Sequence, residues 1–353
     1  MKLKLAILEK DTSYLNRIVA AFSARYYEKL EIYSFTDSDV ALSNLGPNRI
    51  DVLLANDFFD IDTSKIPVRC GFAYLVDSQG IDTVREQRAI CKFQKADLIY
   101  KQILSIYSES AENVIGLKFD DDSCKIIAFA SPSGGTGSST LAAASAQRFA
   151  ANGAKVLYLN LEHYGLTDVF FNGEGQFNIS DVIFALKSRK SNLALKLESC
   201  VRQDRSGVCF YASSPVALDM IELSTEEILL LISELKLTGL YQYIILDMDF
   251  GIEKKYLDIL HKVHSLVITS DGSQASNTKI RRAYEALNLL EQNSDFRVSD
   301  FTRIVYNRFK NGGSEIMNDI AINNIGGMPQ YDNLTTEQLL AQLSAMAVLD
   351  KII

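Results

Sequence analysis

Residues 131–140, Ser-Pro-Ser-Gly-Gly-Thr-Gly-Ser-Ser-Thr, stand between an apolar run at 126–130 and an alanine-rich stretch of helical composition. A strand that enters a glycine-rich turn and leaves it as a helix brings backbone N–H groups and the positive helix end to one point, which suits a phosphate. Gly134, Gly135 and Gly137 let the turn close and let phosphate oxygens approach the backbone with no Cβ in the way. Ser139 and Thr140 place hydroxyls where a magnesium ion and an α-phosphate oxygen would lie. Ser133, Thr136 and Ser138 complete a loop without a lysine. The side-chain cation that normally sits on a transferring phosphoryl group is missing, so the turn is expected to hold a nucleotide better than it hydrolyses one. Asp247 ends the run Tyr-Ile-Ile-Leu, the place for a carboxylate that holds magnesium through water. A Ser/Gly linker would have this composition too, but a linker would not be bracketed immediately by strand and helix.

The elements that must position this turn follow from apolar periodicity. Strands are expected at 126–130, 156–161, 243–247, 265–270 and 303–306, alternating with helices at 139–151, 224–236, 253–263, 276–291 and 335–349. Ser224 begins a Ser-Thr-Glu-Glu run and Thr335 a Thr-Thr-Glu-Gln run, and both read as helix starts with an acidic first turn. This is a doubly wound, mostly parallel α/β pattern, whose ligands sit at the carboxyl ends of the strands. Upstream, short apolar runs at 3–9, 51–55 and 72–76 alternate with amphipathic segments such as Tyr14, Leu15, Ile18, Val19 and Phe22. They imply a second α/β domain with a parallel sheet. Composition turns polar between Ser108 and Lys125, with Asp-Asp-Asp-Ser at 120–123, so the domains are expected to be 1–120 and 121–353.

Bulk composition bounds the function. The 353 residues carry a net charge of −8, which argues against a protein-wide grip on nucleic acid or anionic lipid. Cys70, Cys91, Cys124, Cys200 and Cys209 have no Cys-x-x-Cys spacing and read as reduced thiols. No apolar run has membrane-spanning length and the N-terminus lacks a signal peptide's apolar core, so a cytoplasmic protein without an integral membrane segment is expected. Lys279, Arg281, Arg282, Arg308 and Lys310 read as a solvated face, with a patch for DNA as the alternative. Lys187, Arg189 and Lys190 read the same way, with charge compensation near the phosphates as the alternative. The apolar C-terminal segment, Leu339 to Leu349, lacks a cationic face and is expected to pack on the domain rather than on a membrane. His163, His261 and His264 show no metal-ligand grouping.

The string 133–140 resembles the deviant Walker A loop of the MinD/ParA class, with Ser133 and Ser138 where that class has its two lysines. The resemblance continues in order along 125–353. Val-Leu-Tyr-Leu-Asn-Leu-Glu resembles the Asp-x-Asp segment, with Asn160 and Glu162 at the two aspartates, and Asp247-Met-Asp-Phe-Gly resembles the Asp-x-Pro-x-Gly switch. Asn307 stands at the adenine-recognising position, and Gly327-Met-Pro329-Gln-Tyr331-Asp resembles the loop near the base. The resemblance implies ATP and Mg²⁺ as ligands and a nucleotide-dependent homodimer. An amide at Asn160 cannot take a proton from water, and Glu162 would have to serve with a longer arm. A missing cationic finger costs roughly 10³–10⁵ in rate, whereas a lost charge-assisted hydrogen bond costs binding about 1.5–3 kcal/mol. Hydrolysis is therefore expected to be weak or absent.

Residues 3–105 resemble a response-regulator receiver, a flavodoxin-like fold, with Glu9, Lys10 and Asp11 at the magnesium-binding end of the first strand. Asn56 falls where the receiver has its phosphorylated Asp, Asp57 is one place off register, and Lys92 stands at the receiver's lysine. The domain reads as a pseudo-receiver for docking or dimer contact, with Asp57 leaving phosphorylation open. A pseudo-receiver ahead of a degenerate MinD/ParA domain resembles TadZ/CpaE-type pilus-assembly proteins. That resemblance implies a localisation or scaffold protein, concentrated at a cell pole, with pilus or secretion machinery proteins or a polar landmark as partners. An active ATPase switch on DNA or membrane and a phosphorylation-controlled two-component regulator are the alternatives.

Overall fold

The computed structural model describes residues 2–110, 124–188, 192–292, 297–310 and 312–353. The polar stretch at 120–123 and the cations Arg189 and Lys190 lie outside the described residues. The chain forms two compact units, Met1–Leu117 with Ala185–Cys200, and Lys118–Phe184 with Val201–Ile353.

The first unit runs β1 (Leu3–Leu8), α1 (Thr12–Tyr26), β2 (Leu30–Phe35), α2 (Ser38–Leu45), β3 (Val52–Asn56), β4 (Gly71–Val76), β5 (Thr83–Val84), β6 (Gln87–Cys91) and α3 (Ala96–Ser110). Its sheet has the order β2-β1-β3-β4-β6-β5, parallel except for the β5–β6 pair. That is the flavodoxin-like strand order with a short edge strand added. Alternation along β1 explains the two cores, because successive side chains leave opposite faces. Leu5 and Ile7 meet Leu15, Ile18 and Phe22 of α1 and Ile99 and Ile103 of α3. Ala6 and Leu8 meet Ala41 and Leu45 of α2. Asp11 starts α1 by accepting hydrogen bonds from the Ser13 and Tyr14 amides. A helix from the second half, Leu193–Cys200, packs on α3 within this unit. There Lys196 donates to the Ser105 hydroxyl at 2.9 Å and Lys29 pairs with Glu198 at 2.5 Å.

The second unit continues with β7 (Lys125–Ala130), α4 (Ser138–Ala151), β8 (Val156–Asn160) and α5 (Ile179–Lys187). After α6, the Leu193–Cys200 helix just described, come β9 (Arg202–Gln203), β10 (Cys209–Phe210), α7 (Leu218–Ile221), α8 (Thr225–Leu237) and β11 (Tyr243–Asp247). The chain ends with α9 (Lys254–Leu260), β12 (Ser265–Ser270), α10 (Gln274–Leu290), β13 (Thr302–Phe309), β14 (Asn323–Pro329) and α11 (Thr336–Ser344). The eight strands lie in the order β14-β13-β12-β7-β11-β8-β10-β9, parallel apart from β9–β10. Every residue of β8 and β12 is buried, the mark of strands covered on both faces. β7 lies between β12 and β11, so the chain leaves its carboxyl end at the point where winding reverses, and the glycine-rich turn begins there.

The helices expected to start at Ser224 and Thr335 do so, and each start is closed by a reciprocal cap. The helix expected over 335–349 instead ends at Ser344, and a 3-10 turn follows over Ala347–Ile352. That break turns Leu349 and Ile352, both fully buried, into the core beneath α4 beside Leu340 and Leu343. Arg148 on α4 holds the same segment through a two-pronged pair with Asp350. Among the described residues no helix is long and apolar enough to cross a membrane. Cys70, Cys124 and Cys200 are buried. Leu349→Ala should lower the free energy of unfolding by about 2–5 kcal/mol in a denaturant titration, the cost of a cavity in a closed core. A tail merely lying on the surface would leave the midpoint unchanged.

Candidate functional site

The turn after β7 is shaped by its glycines and leaves the start of α4 without a side-chain cap. Gly135 and Gly137 have φ of +80° and +86°, and Gly137 stands at the N-cap of α4 with no side-chain capping bond to the first turn. The N–H groups that a helix leaves unpaired at its start are therefore not claimed by a side chain. The loop is braced from below and within. Ser131 donates to the Thr269 carbonyl at 2.6 Å, its hydroxyl accepts from the Ser133 amide, and Thr136 donates to the Ser133 carbonyl. Ser133 and Thr136 are buried by this bracing. The Ser138 hydroxyl oxygen is buried without a hydrogen-bond partner.

Beneath the loop is an acidic floor. Asp247 at the end of β11 is completely buried; its Oδ2 accepts from Tyr158 Oη at 2.6 Å and from Asn160 Nδ2 at 3.1 Å, while Oδ1 has no partner. Both ends of the Asn160 amide are engaged, because its Oδ1 accepts from the Glu162 amide. Glu162 Oε2 in turn accepts from Ser139 Oγ at 3.3 Å. Gly165 is required by close approach: a Cβ there would fall 2.0 Å from Asn160 Oδ1. Burial, with the Glu162 charge second, pushes the Asp247 carboxyl up to about 8. Burial also raises the Glu162 carboxyl, and the Asp249 charge adds to it against hydrogen bonds from Asn160 and Ser139. Asp249 is itself held by His163, whose Nδ1 lies 2.5 Å from its Oδ2.

Thr140, Asn307, Pro329 and Tyr331 line one cavity of about 210 Å³ beside the loop, together with Arg308, Gln330, Leu339 and Leu343. Asn307 is buried there with Nδ2 donating to the Thr136 carbonyl at 2.9 Å, so part of its amide braces the loop. A Cβ on Gly137 would fall 2.4 Å from that same nitrogen, which makes glycine necessary twice over. The site thus gathers Ser133 to Thr140, Asn160, Glu162, Asp247, Asn307, Pro329 and Tyr331 at the carboxyl end of one sheet. Three participants gave little sign in the sequence. Tyr158 reads as a core aromatic inside an apolar strand, the His163–Asp249 pair joins distant segments, and Arg308 reads as a surface cation. Of the basic residues weighed as a DNA patch, Arg281 is engaged by Asp319 in a two-pronged pair.

The receiver-like unit has its own acidic pocket, filled by a cation. Lys92 Nζ lies 3.2 Å from Glu9 Oε2 and 2.6 Å from Asp77 Oδ1, and Asn56 Nδ2 donates to Glu9 Oε2 at 3.1 Å. Burial opposes the charge on Lys92, but its bonds to Asp77 and Glu9 outweigh that and raise its pKa. Asp57 follows one residue past the end of β3, with its amide on the Leu75 carbonyl.

Residues 1–108 match the family model described as TadZ-like, receiver domain. A ParA family ATPase from Chlorobium tepidum aligns over 65% of this chain and 96% of its own, at 22% identity and TM-score 0.50. A chain of the MinC:MinD cell division protein complex of Aquifex aeolicus aligns over 65% of this chain and 94% of its own, at 21% identity and TM-score 0.50. A search of curated proteins finds no match. The protein is thus α/β, with a receiver-like domain ahead of a unit with the MinD/ParA P-loop ATPase fold. The family match is confined to residues 1–108, and the likeness of the second unit to ParA and MinD is one of fold.

The raised carboxyl of Asp247 has a measurable consequence for stability. An ordinary Asp ionises near 3.8, whereas folded Asp247 keeps its proton to about 8. Its contribution to stability is complete below the lower value and declines as pH rises between the two, by up to about 1.4 kcal/mol per pH unit. Asp247→Asn should remove that slope, so that its Tm exceeds the parent's most clearly near pH 8. Parallel Tm curves from pH 5 to 8.5 would contradict the assignment.

Proposed function

We propose that the chain is an ATP-binding localisation and scaffold protein for Tad-type pilus assembly, in which the nucleotide acts as a structural ligand. The observation that carries this reading is the floor of the loop: Asn160, an amide bound at both ends, stands where a proton-accepting carboxylate would orient water, while the anion cradle above it is intact. The cavity of about 210 Å³ suits the base and ribose, with Tyr331, Pro329, Leu339 and Leu343 as its apolar side. The phosphates would lie on Gly134 to Thr140, where main-chain N–H groups supply the positive potential.

The floor fits magnesium. The unpartnered Asp247 Oδ1 and the Ser139 hydroxyl are the oxygen ligands such an ion takes. Among the described residues no group of three or more His, Cys, Asp or Glu could hold a metal by itself, so the ion would come with the phosphates and keep several waters. Bound there, magnesium would neutralise phosphate charge; Ser139 and Asp247 would orient it, and Asp247 would give up its proton.

A homodimer formed on nucleotide binding is the proposed working state, cytoplasmic and concentrated at a cell pole, with pilus or secretion machinery proteins or a polar landmark as partners. The receiver-like unit would serve docking rather than phosphotransfer, because Lys92 and Asn56 already satisfy Glu9. Purified protein should retain or take up one ATP per chain in the presence of magnesium and show little or no phosphate release over hours. Turnover at the rate of ordinary ParA-type ATPases, alone or with an added partner, would overturn the scaffold reading. No ATP uptake at millimolar concentration would overturn the nucleotide reading itself.

A further inference from the structure

We infer that Arg308 is the cation that meets the nucleotide's phosphates in place of the loop's missing lysines, an inference that rests on the nucleotide reading above. A regular strand would send Asn307 and Arg308 to opposite faces. Here the pairing of β13 with β14 shifts register between Tyr306 and Phe309, and Arg308 adopts φ +54°. Both side chains consequently reach the same loop. Asn307 Nδ2 donates to the Thr136 carbonyl at 2.9 Å, and Arg308 Nη1 donates to the adjacent Gly135 carbonyl at 2.7 Å. A left-handed backbone suits glycine far better than arginine, so the conformation is held by the structure around it.

The charge of this arginine is not spent elsewhere. Among the described residues no carboxylate lies within ion-pair distance of Arg308, in contrast to Arg25, Arg88, Arg148 and Arg281, each of which pairs with an acid. It is also the one ionised side chain among the residues lining the cavity. A guanidinium carries five N–H donors in a fixed fork, so Arg308 can keep the Gly135 carbonyl and still donate to a phosphate oxygen. Its anchorage at one end of the loop sets an unpaired cation beside both the cavity, whose apolar side is Pro329, Tyr331, Leu339 and Leu343, and the open start of α4. The ligand that matches both is an anion with an apolar base, a nucleoside polyphosphate.

The test compares ATP binding by full-length parent, Arg308→Gly and Arg308→Lys in magnesium buffer, by calorimetry at low and high salt, with Tm measured for each. Arg308→Gly removes the cation and relieves the left-handed backbone, so Tm should hold or rise while ATP affinity falls about 10–100-fold. Its affinity should also depend less on salt than the parent's, and Arg308→Lys should recover part of the loss. Parent that binds ATP while Arg308→Gly binds it equally well would overturn this inference alone. A loss of affinity that Lys does not lessen, accompanied by a fall in Tm, would assign Arg308 a purely structural role and overturn it too. Parent that fails to bind ATP would remove the nucleotide reading and this inference with it.

Discussion

A carboxylate sealed beneath a phosphate loop with no lysine above it is the constraint on which the second unit turns. Asp247 is fully buried, and the groups that act on it are Glu162, Asp249, Tyr158 and Ser139, none of them a cation. Without a compensating charge the carboxyl keeps a proton to about 8. The lysine-free loop and the protonated floor are therefore one electrostatic fact. A metal ion arriving with phosphates, as proposed, would take over that proton's neutralising role. Tyr158 and Asn160 hold the buried Oδ2.

The first unit solves the same problem in the opposite way. Its acidic pocket keeps the cation: Lys92 is buried against Glu9 and reaches Asp77, and the Asn56 amide donates to the same Glu9 oxygen. Removing one partner from such a pair leaves an uncompensated buried charge, which is why the network reads as permanent. In both units an asparagine amide, Asn56 or Asn160, is bonded to a buried carboxyl group, Glu9 or Asp247.

The parallel strands were legible because β7, β8, β11 and β12 are buried on both faces and read as continuous apolar runs. β14 was not, since Asn323, Asn324, Gly326 and Gly327 carry little strand preference and are ordered by pairing with β13. The helix starts at Ser224 and Thr335 were readable because their signals are local; the helix break near Ala345 was not, because the burial of Leu349 and Ile352 decides it. Nor does an apolar pattern say which core a helix joins, and Leu193–Cys200 packs on α3 of the first unit. At the site the loop glycines, Ser139 and Asp247 carry their chemistry in their types and order. The engagement of Asn307 with the loop and the placement of Arg308 depend on a left-handed residue that is not glycine, and no residue type announces that.

Main-chain amides and hydroxyls, helped by one arginine from β13, are proposed to seat a triphosphate without a lysine in the loop. Amide hydrogen exchange of the full chain, with and without millimolar ATP and magnesium, tests this at the atoms concerned. Exchange should slow across 133–140 and at 307–308 when ATP is present. Unchanged exchange at those amides under saturating ATP would contradict it.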